Sequence, residues 1–423
     1  MNRNFLLLIL SFLLSMKCTG QFSEPVDSIE VKEISGSNDM QSYIMPDVPK
    51  ELFRWAKYDG NSFSYKVGLV PIVDYTGFLQ NQESKRQVGL QDNQFDLRSA
   101  RISVGGFFHA GTKVRYFFSL EYKGFDRAPE SKGIGITDAY LEVPIGLNAG
   151  KIRFGKIKET FVYEMVGDAA NLPQMERILN PFFNSRNIGI MYMNYAFKDR
   201  MTFAAGWYNN WFVDGQTFKE SADTYSARIT GLPIFKNDGS EFLHLGASMR
   251  YVQTEGGIFR YKDRNESNVT DYYIDTGNIP SKQIWNLGLE AQYTFDRFSI
   301  LGEYVNSWCD VIGDSNLNLS GYYIAGSYVF TGKQRPYDKK AAYARRIMPM
   351  EKGGVWEAVI RVSYLDFNNQ NVDGGILHKL HLGLNWWATQ HWHFGVGYGL
   401  SQLKKDNLLG VTNSFLTRLQ WVY

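Results

Sequence analysis

Cysteine, proline, long apolar runs and a surplus of one charge are all scarce in this chain. Only two cysteines occur in 423 residues, and Cys18 lies in the first twenty, so Cys309 is left without an internal disulfide partner. The twelve prolines leave few breaks in extended backbone, because proline removes a ladder donor. After residue 20 no stretch approaches the ~18 apolar residues of a membrane helix. The formal net charge is only +2, which excludes a global field steering nucleic acid or anions to the whole surface. Glycine (40), tyrosine (26), phenylalanine (29) and tryptophan (10) are plentiful. That mixture suits pleated strands and tight turns.

The first twenty residues stand apart. Arg3 precedes an apolar run from Phe5 to Leu14, and Cys18-Thr19-Gly20 puts small residues at the last and third-last positions. This is the pattern of a cleavable signal peptide over 1–20. Lys17 directly before Cys18 fits a lipoprotein site badly. Cleavage would remove Arg3 and Lys17 and bring the net charge to about zero. Residues 21–60 read as an N-terminal periplasmic tail, polar up to Asp39. A secreted chain without a spanning helix is either soluble or a barrel.

Period-two alternation decides between them. Lys113, Arg115, Phe117, Ser119, Glu121 and Lys123 fall on one face of a strand, and Val114, Tyr116, Phe118, Leu120 and Tyr122 on the other. Lys379, His381, Gly383 and Asn385 alternate with Leu380, Leu382, Leu384 and Trp386 in the same way. The apolar faces run about ten residues, the length of a tilted membrane-crossing strand. The wet faces are rich in glycine, serine and charge, and the chain ends with Phe415, Thr417, Leu419, Trp421 and Tyr423 on one face. The resulting expectation is an all-β transmembrane antiparallel barrel of about sixteen strands over 61–423, from 61–72 to 412–423. Short connections near Gly111, Leu147, Lys198, Asp296 and Thr389 alternate with long ones at 73–93, 159–186 and 255–282. With both termini in the periplasm the short turns fall on that side. The long connection from Thr331 to Gly353 breaks the rule, and either a true exception or a miscounted strand would account for it.

Four stretches carry a resemblance to the phosphate-selective porins O and P. They are Arg98-Ser-Ala-Arg101-Ile-Ser-Val-Gly-Gly, Asp138-Ala-Tyr-Leu-Glu142 with Lys151-Ile-Arg-Phe-Gly-Lys156 and Met175-Glu-Arg177, Gly321-Tyr-Tyr-Ile-Ala-Gly with Thr331-Gly-Lys-Gln-Arg-Pro-Tyr337, and Trp356-Glu-Ala-Val-Ile-Arg361 with Leu382-Gly-Leu-Asn-Trp386. The resemblance implies a sixteen-stranded barrel in the outer membrane of a bacterium, usually a homotrimer in lipid, for passive uptake of phosphate or other small anions. It also implies a constriction loop after the fifth strand, here 159–186. That loop holds Glu159, Glu164, Asp168 and Glu176 against Arg177 and Arg186, a net acidic set that departs from the family's basic lining and argues against phosphate selectivity.

The alternation gives Arg101, Lys113, Arg115, Lys123, Lys151, Arg153, Arg228, Arg250 and Arg361 as lumen cations that could replace part of an anion's hydration shell. The plainer expectation for each is solvation or pairing with a neighbour, such as Arg115 with Glu121. Arg98 has the opposite parity to Arg101 unless a bulge intervenes. No cofactor, metal site or nucleic-acid surface is expected: His391 and His393 share a face, but His381 would stand about 15 Å along the adjacent strand at ~3.3 Å per residue. A general porin for small polar nutrients is the nearest alternative. A barrel enzyme acting on lipids is another, needing a nucleophile oriented by a base, and a plugged structural or adhesive barrel is a third.

Overall fold

Sixteen long strands carry the alternation, and each pairs antiparallel with its neighbours in sequence. They are β1 (Phe63–Gln80), β2 (Gln94–Ala110), β3 (Thr112–Glu121), β4 (Gly135–Pro144), β5 (Lys151–Ile157), β6 (Asn187–Ala196), β7 (Met201–Asn209) and β8 (Asp223–Lys236). The second half comprises β9 (Glu241–Gln253), β10 (Ile279–Phe295), β11 (Phe298–Val311), β12 (Leu317–Val329), β13 (Val355–Asn369), β14 (Val372–Trp387), β15 (Trp392–Lys405) and β16 (Leu408–Trp421). β16 pairs back onto β1, from Gln420 opposite Ile72 to Thr412 opposite Gln80, so the sheet closes on itself. The computed structural model describes residues 55–122, 134–146, 149–209, 223–236, 239–254, 257–350, 352–369 and 371–423. The signal peptide, most of the polar tail, Lys123 and Leu147 lie outside these.

Two expectations at the N-terminus are corrected. Residues 57–59, read as tail, form a short strand on β1, with Lys57 opposite Lys66. It occupies the part of β1 beyond the end of β16, where Tyr423 and Leu69 exchange backbone hydrogen bonds of 2.9 and 3.2 Å. β1 itself continues to Gln80 rather than ending near 72. The bulge in its pairing with β2 places the extra residue, Arg98, on β2, between Ser99 opposite Ile72 and Leu97 opposite Val73, and flips the parity of β2 there, while β1 keeps its alternation with Val73 and Leu79 exposed. The same bulge turns both Arg98 and Arg101 inward.

The outer face is apolar on both long and short strands. Val73, Ile102, Phe154, Ile229, Leu289, Ile324, Ile360 and Phe415 are all exposed there, as a lipid-facing surface requires. Aromatic rings gather at two levels. Trp356, Trp386 and Phe394 stack with centroids 5.7 and 5.4 Å apart toward the rim that holds the C-terminus. Trp207, Tyr225, Tyr251 and Trp285 form a second row toward the far rim, at spacings of 4.6 to 6.4 Å. These are the interfacial girdles of a membrane barrel.

The interior is half solid. Three connections fold into it: 158–186 after β5, 254–278 after β9, and 330–354 between β12 and β13. Phe161, Val162, Ile178, Leu179 and Phe182 of the first pack with Phe259, Tyr261, Tyr273 and Ile274 of the second on Val305, Leu319, Tyr323, Leu365 and Phe367 of the wall. Gly321 permits this approach, because a Cβ there would stand 2.5 Å from Leu365 and 2.9 Å from Phe182. Along β9–β15 a soluble-protein type of core covers much of the lumen face that alternation alone led one to expect wet.

Candidate pore lining and constriction

The inward cations divide by wall. On β8–β14, Arg228, Arg250 and Arg361 point inward as the parity requires, yet all are at most 5% exposed. Arg228 holds Glu290 at 2.6 Å, Arg250 holds Glu159 at 2.5 Å, and Arg361 holds Glu266 at 2.7 Å. They lie inside the packed half and are structural ties, correcting their reading as water-exposed pore liners. On β2–β5 the picture differs: the side chains of Arg101, Lys151 and Arg153 retain 18, 28 and 20% exposure.

Nearest the rim with the C-terminus, the β3–β5 wall concentrates positive charge. Arg115, Glu142 and Arg153 face each other across three strands in one ladder row. Arg153 reaches Glu142 at 2.5 Å and Lys151 reaches it at 3.4 Å. Lys113, one inward step closer to the rim, is exposed. Three cations, Arg115, Lys151 and Arg153, thus gather on one carboxylate. The expected partner of Arg115, Glu121, instead accepts from Ser99 at 2.7 Å, the Ala100 amide at 2.7 Å and Arg101 at 3.2 Å, because the inward turn of β2 at its bulge brings those groups closer.

A second cluster sits where the first infolded connection crosses the wall. Its members are Arg98, Arg101, Lys158, Arg177 and Arg186, with Glu121, Asp138, Asp168 and Glu176 among them. Arg186 lies 3.4 Å from Asp138, and Lys158 donates to Asp168 at 2.6 Å. Arg177 is held by the backbone carbonyls of Glu164 and Gly167 at 2.8 and 2.7 Å. Burial lowers its pKa to about 10, against the pull of Glu164 and with the repulsion of Arg186 and Arg98. Burial likewise draws the Lys158 amine down to about 8, although Asp168 opposes it. The Asp168 carboxyl is itself held well below its usual range: Lys158, Arg186 and Arg101 outweigh the upward push of burial.

The loop's acidity is therefore spent internally. Glu159 is fixed by Arg250 and by Asn187 at 3.2 Å. Glu164, pushed upward by burial while Arg361 and two backbone amides oppose it, accepts from Ile178 and Leu179 at 2.8 to 3.0 Å. Glu176 is gripped by Arg98 at 2.6 Å and Arg418 at 3.5 Å. Counting loop charges alone missed Arg98, Arg418 and Lys158. Arg418 was available, because Thr417 and Leu419 face outward and place it inward. Removing one partner of a buried pair should be costly: Arg250→Met is expected to destabilise the folded barrel by about 3–5 kcal/mol. Urea unfolding in detergent would measure this, and the double change Arg250→Met/Glu159→Met should recover most of the loss.

The connection 330–354 is a true exception to the short-turn rule. It enters from the rim with the C-terminus and is anchored by Arg335, which pairs with Glu357 through bonds of 2.8 and 2.6 Å. Tyr337 Oη meets His244 Nδ1 at 2.6 Å, and the Ala342 carbonyl accepts from Arg228 at 2.8 Å. The Ala344 amide donates to Tyr163 Oη at 2.6 Å, so this connection touches the loop after β5 directly.

A closed barrel with an apolar exterior, aromatic girdles and charged, infolded constrictions defines an outer-membrane porin. The family described as phosphate-selective porin O and P matches residues 71–423, and the chain belongs to it. Among solved structures it is similar to the outer membrane channel DcaP of Acinetobacter baumannii, at 12% identity and TM-score 0.55 over 87% of this chain and all of that one. It also resembles an anion-selective porin from Comamonas acidovorans, at 12% identity and TM-score 0.52 over 85% of this chain and 100% of that one. The trimer form of OmpT from Vibrio cholerae gives 13% and 0.53 over 86% and 100%. At these identities the likeness is one of fold. An uncharacterized protein of Caulobacter vibrioides is 28% identical over 170 residues, 38% of this chain, and the match spans about a third of that relative's length.

Proposed function

We propose that the protein is an electrodiffusive pore for small anions, phosphate among them, whose conducting path follows the β2–β5 wall. The observation that carries this reading is the group of the partly exposed Arg115, Lys151 and Arg153, gathered on the single carboxylate of Glu142, with the exposed Lys113 beside it. Cations held in a narrow passage replace an anion's hydration. The rim with both Tyr423 and the 57–59 strand is the periplasmic one, consistent with export by the segment 1–20. The buried Arg228, Arg250 and Arg361 would hold the constriction in place without meeting the solute.

A homotrimer packed through the low side of the barrel fits the strand lengths. β5 has seven residues, about 23 Å at ~3.3 Å each. Tilted by about 45° it rises only about 16 Å, short of the ~25 Å apolar band. β10 and β14, with 17 and 16 residues, have no such shortfall. A face this low is better matched by another subunit than by lipid.

A lipid-hydrolysing barrel finds less support. The inward His244 is engaged by Glu290 and Tyr337, His381 lies against Glu266, and His393 is bonded to Asn385, so these three are not paired with serine hydroxyls. The deciding measurement is the reversal potential of the purified trimer in a planar bilayer under a potassium chloride gradient, followed by addition of phosphate. Chloride preference with block by phosphate is the expected result. A conductance without anion preference would favour a general porin for polar nutrients. The selectivity should also depend on pH. Lys158 carries its charge below about 8 and loses it above, so anion preference is expected to fall between pH 7 and 9. Lys158→Arg should keep it level across that range.

A further inference from the structure

Between the two cation clusters the water-facing wall carries rings in place of charge. One ladder row runs Gly105, Phe117, Tyr140 and Gly155 across β2 to β5. Phe117 and Tyr140 lie near-parallel, with centroids 5.6 Å apart and planes at 29°. Phe117 leans over Gly105, where a Cβ would stand 2.5 Å from the ring. The Arg153 guanidinium lies 4.4 Å from the Tyr140 centroid and extends the flat surface, since a guanidinium both stacks and carries charge. Both rings are only partly buried, and Tyr140 packs against the buried cluster of Ile157, Met191 and Tyr208.

A conduit for inorganic anions alone needs charge and hydroxyls here, and two rings interrupt it. A solute with its own flat apolar plane would cross that interval in contact throughout. We propose that Phe117, Tyr140 and Arg153 form a subsite for planar organic anions, aromatic carboxylates in particular. The solute's ring lies on Phe117 and Tyr140 while its acid group meets Arg115 or Arg153. Arg115 is two residues from Phe117, about 6.6 Å along the strand at ~3.3 Å each, so its side chain reaches an acid group on a ring seated at Phe117. The subsite rests on the anion-pore reading and adds a solute class to it.

The test uses single channels of the full-length trimer in chloride, titrated with benzoate and with cyclohexanecarboxylate, which match in charge and nearly in size but differ in flatness. Benzoate is expected to reduce the current at concentrations about tenfold lower, the scale of one aromatic contact. Phe117→Leu/Tyr140→Leu, which keeps apolar volume without rings, should erase that difference and leave the chloride-over-potassium preference unchanged. Phe117→Tyr, a ring replacing a ring, should retain the difference and serves as the folding-compatible comparison if the double variant does not assemble. Equal block by the two acids in the native channel, with anion preference intact, overturns the subsite alone. A native channel without anion preference overturns the pore reading and the subsite with it.

Discussion

Replacing residues 331–353 by a two-residue Asn-Gly turn is expected to raise the unitary conductance roughly threefold, because pore cross-section sets ion flow. The geometry permits the change. Phe330 already donates to the Trp356 carbonyl at 2.9 Å, so β12 and β13 are in register at the excision point and a short hairpin can join them. The excision removes the Arg335 anchor and the Tyr337 and Ala344 contacts, and water takes over their partners Glu357, His244 and Tyr163. The strand ladder itself is left intact, although Ile347, which packs on Val329, Val355 and Trp387, is lost with the segment. An unchanged conductance in a properly folded trimer would mean that the narrowest point lies elsewhere, at the Lys158–Arg186 cluster.

Neutralising the β3–β5 cluster should have the largest effect on selectivity. Arg115→Gln, Lys151→Gln and Arg153→Gln together, with Glu142→Gln to avoid stranding a lone carboxylate, remove three positive charges and one negative from the open wall. The chloride-over-potassium permeability ratio is expected to fall to near unity, read from the reversal potential. The matched control is Arg228→Met/Glu290→Leu inside the packed half. That double change removes a buried pair of zero net charge and should leave the ratio where it was, while altering stability by a smaller amount than either single change. If both sets moved the ratio equally, the division of the lumen into a solid and an open half would be wrong.

Much of this architecture was legible in the sequence. The period-two pattern around 113–123 and 379–400 gave sixteen strands, their facing and the loop after the fifth, since lipid on one side forces a strict alternation. What alternation cannot encode is whether an inward side chain meets water or protein. Leu319, Leu365 and Leu377 share a buried core with Phe182 and Tyr261, which come from connections far away in sequence. For the same reason Arg361 and Arg153 looked alike, although one is wholly buried against Glu266 and the other half open beside Tyr140. Bulges were the other blind spot. A single extra residue at Arg98, on β2, left that arginine unplaced. At the candidate site, alternation put the cations of β3–β5 on the inner face, whereas summing the loop's charges by themselves left out Arg98 and Arg418, which pair with Glu176, and Lys158, which pairs with Asp168.

The contact between Ala344 and Tyr163 has a mechanical consequence. One arm enters the barrel from the rim with the C-terminus and the other from the opposite rim, and they are joined by a short hydrogen bond beside rings that meet Tyr163 edge-on, His244 and Tyr343. A displacement of either arm must therefore strain or release the other. A pull on the segment around Arg335 would thus be felt at Tyr163 in the loop after β5 through this one bond, as along a strut.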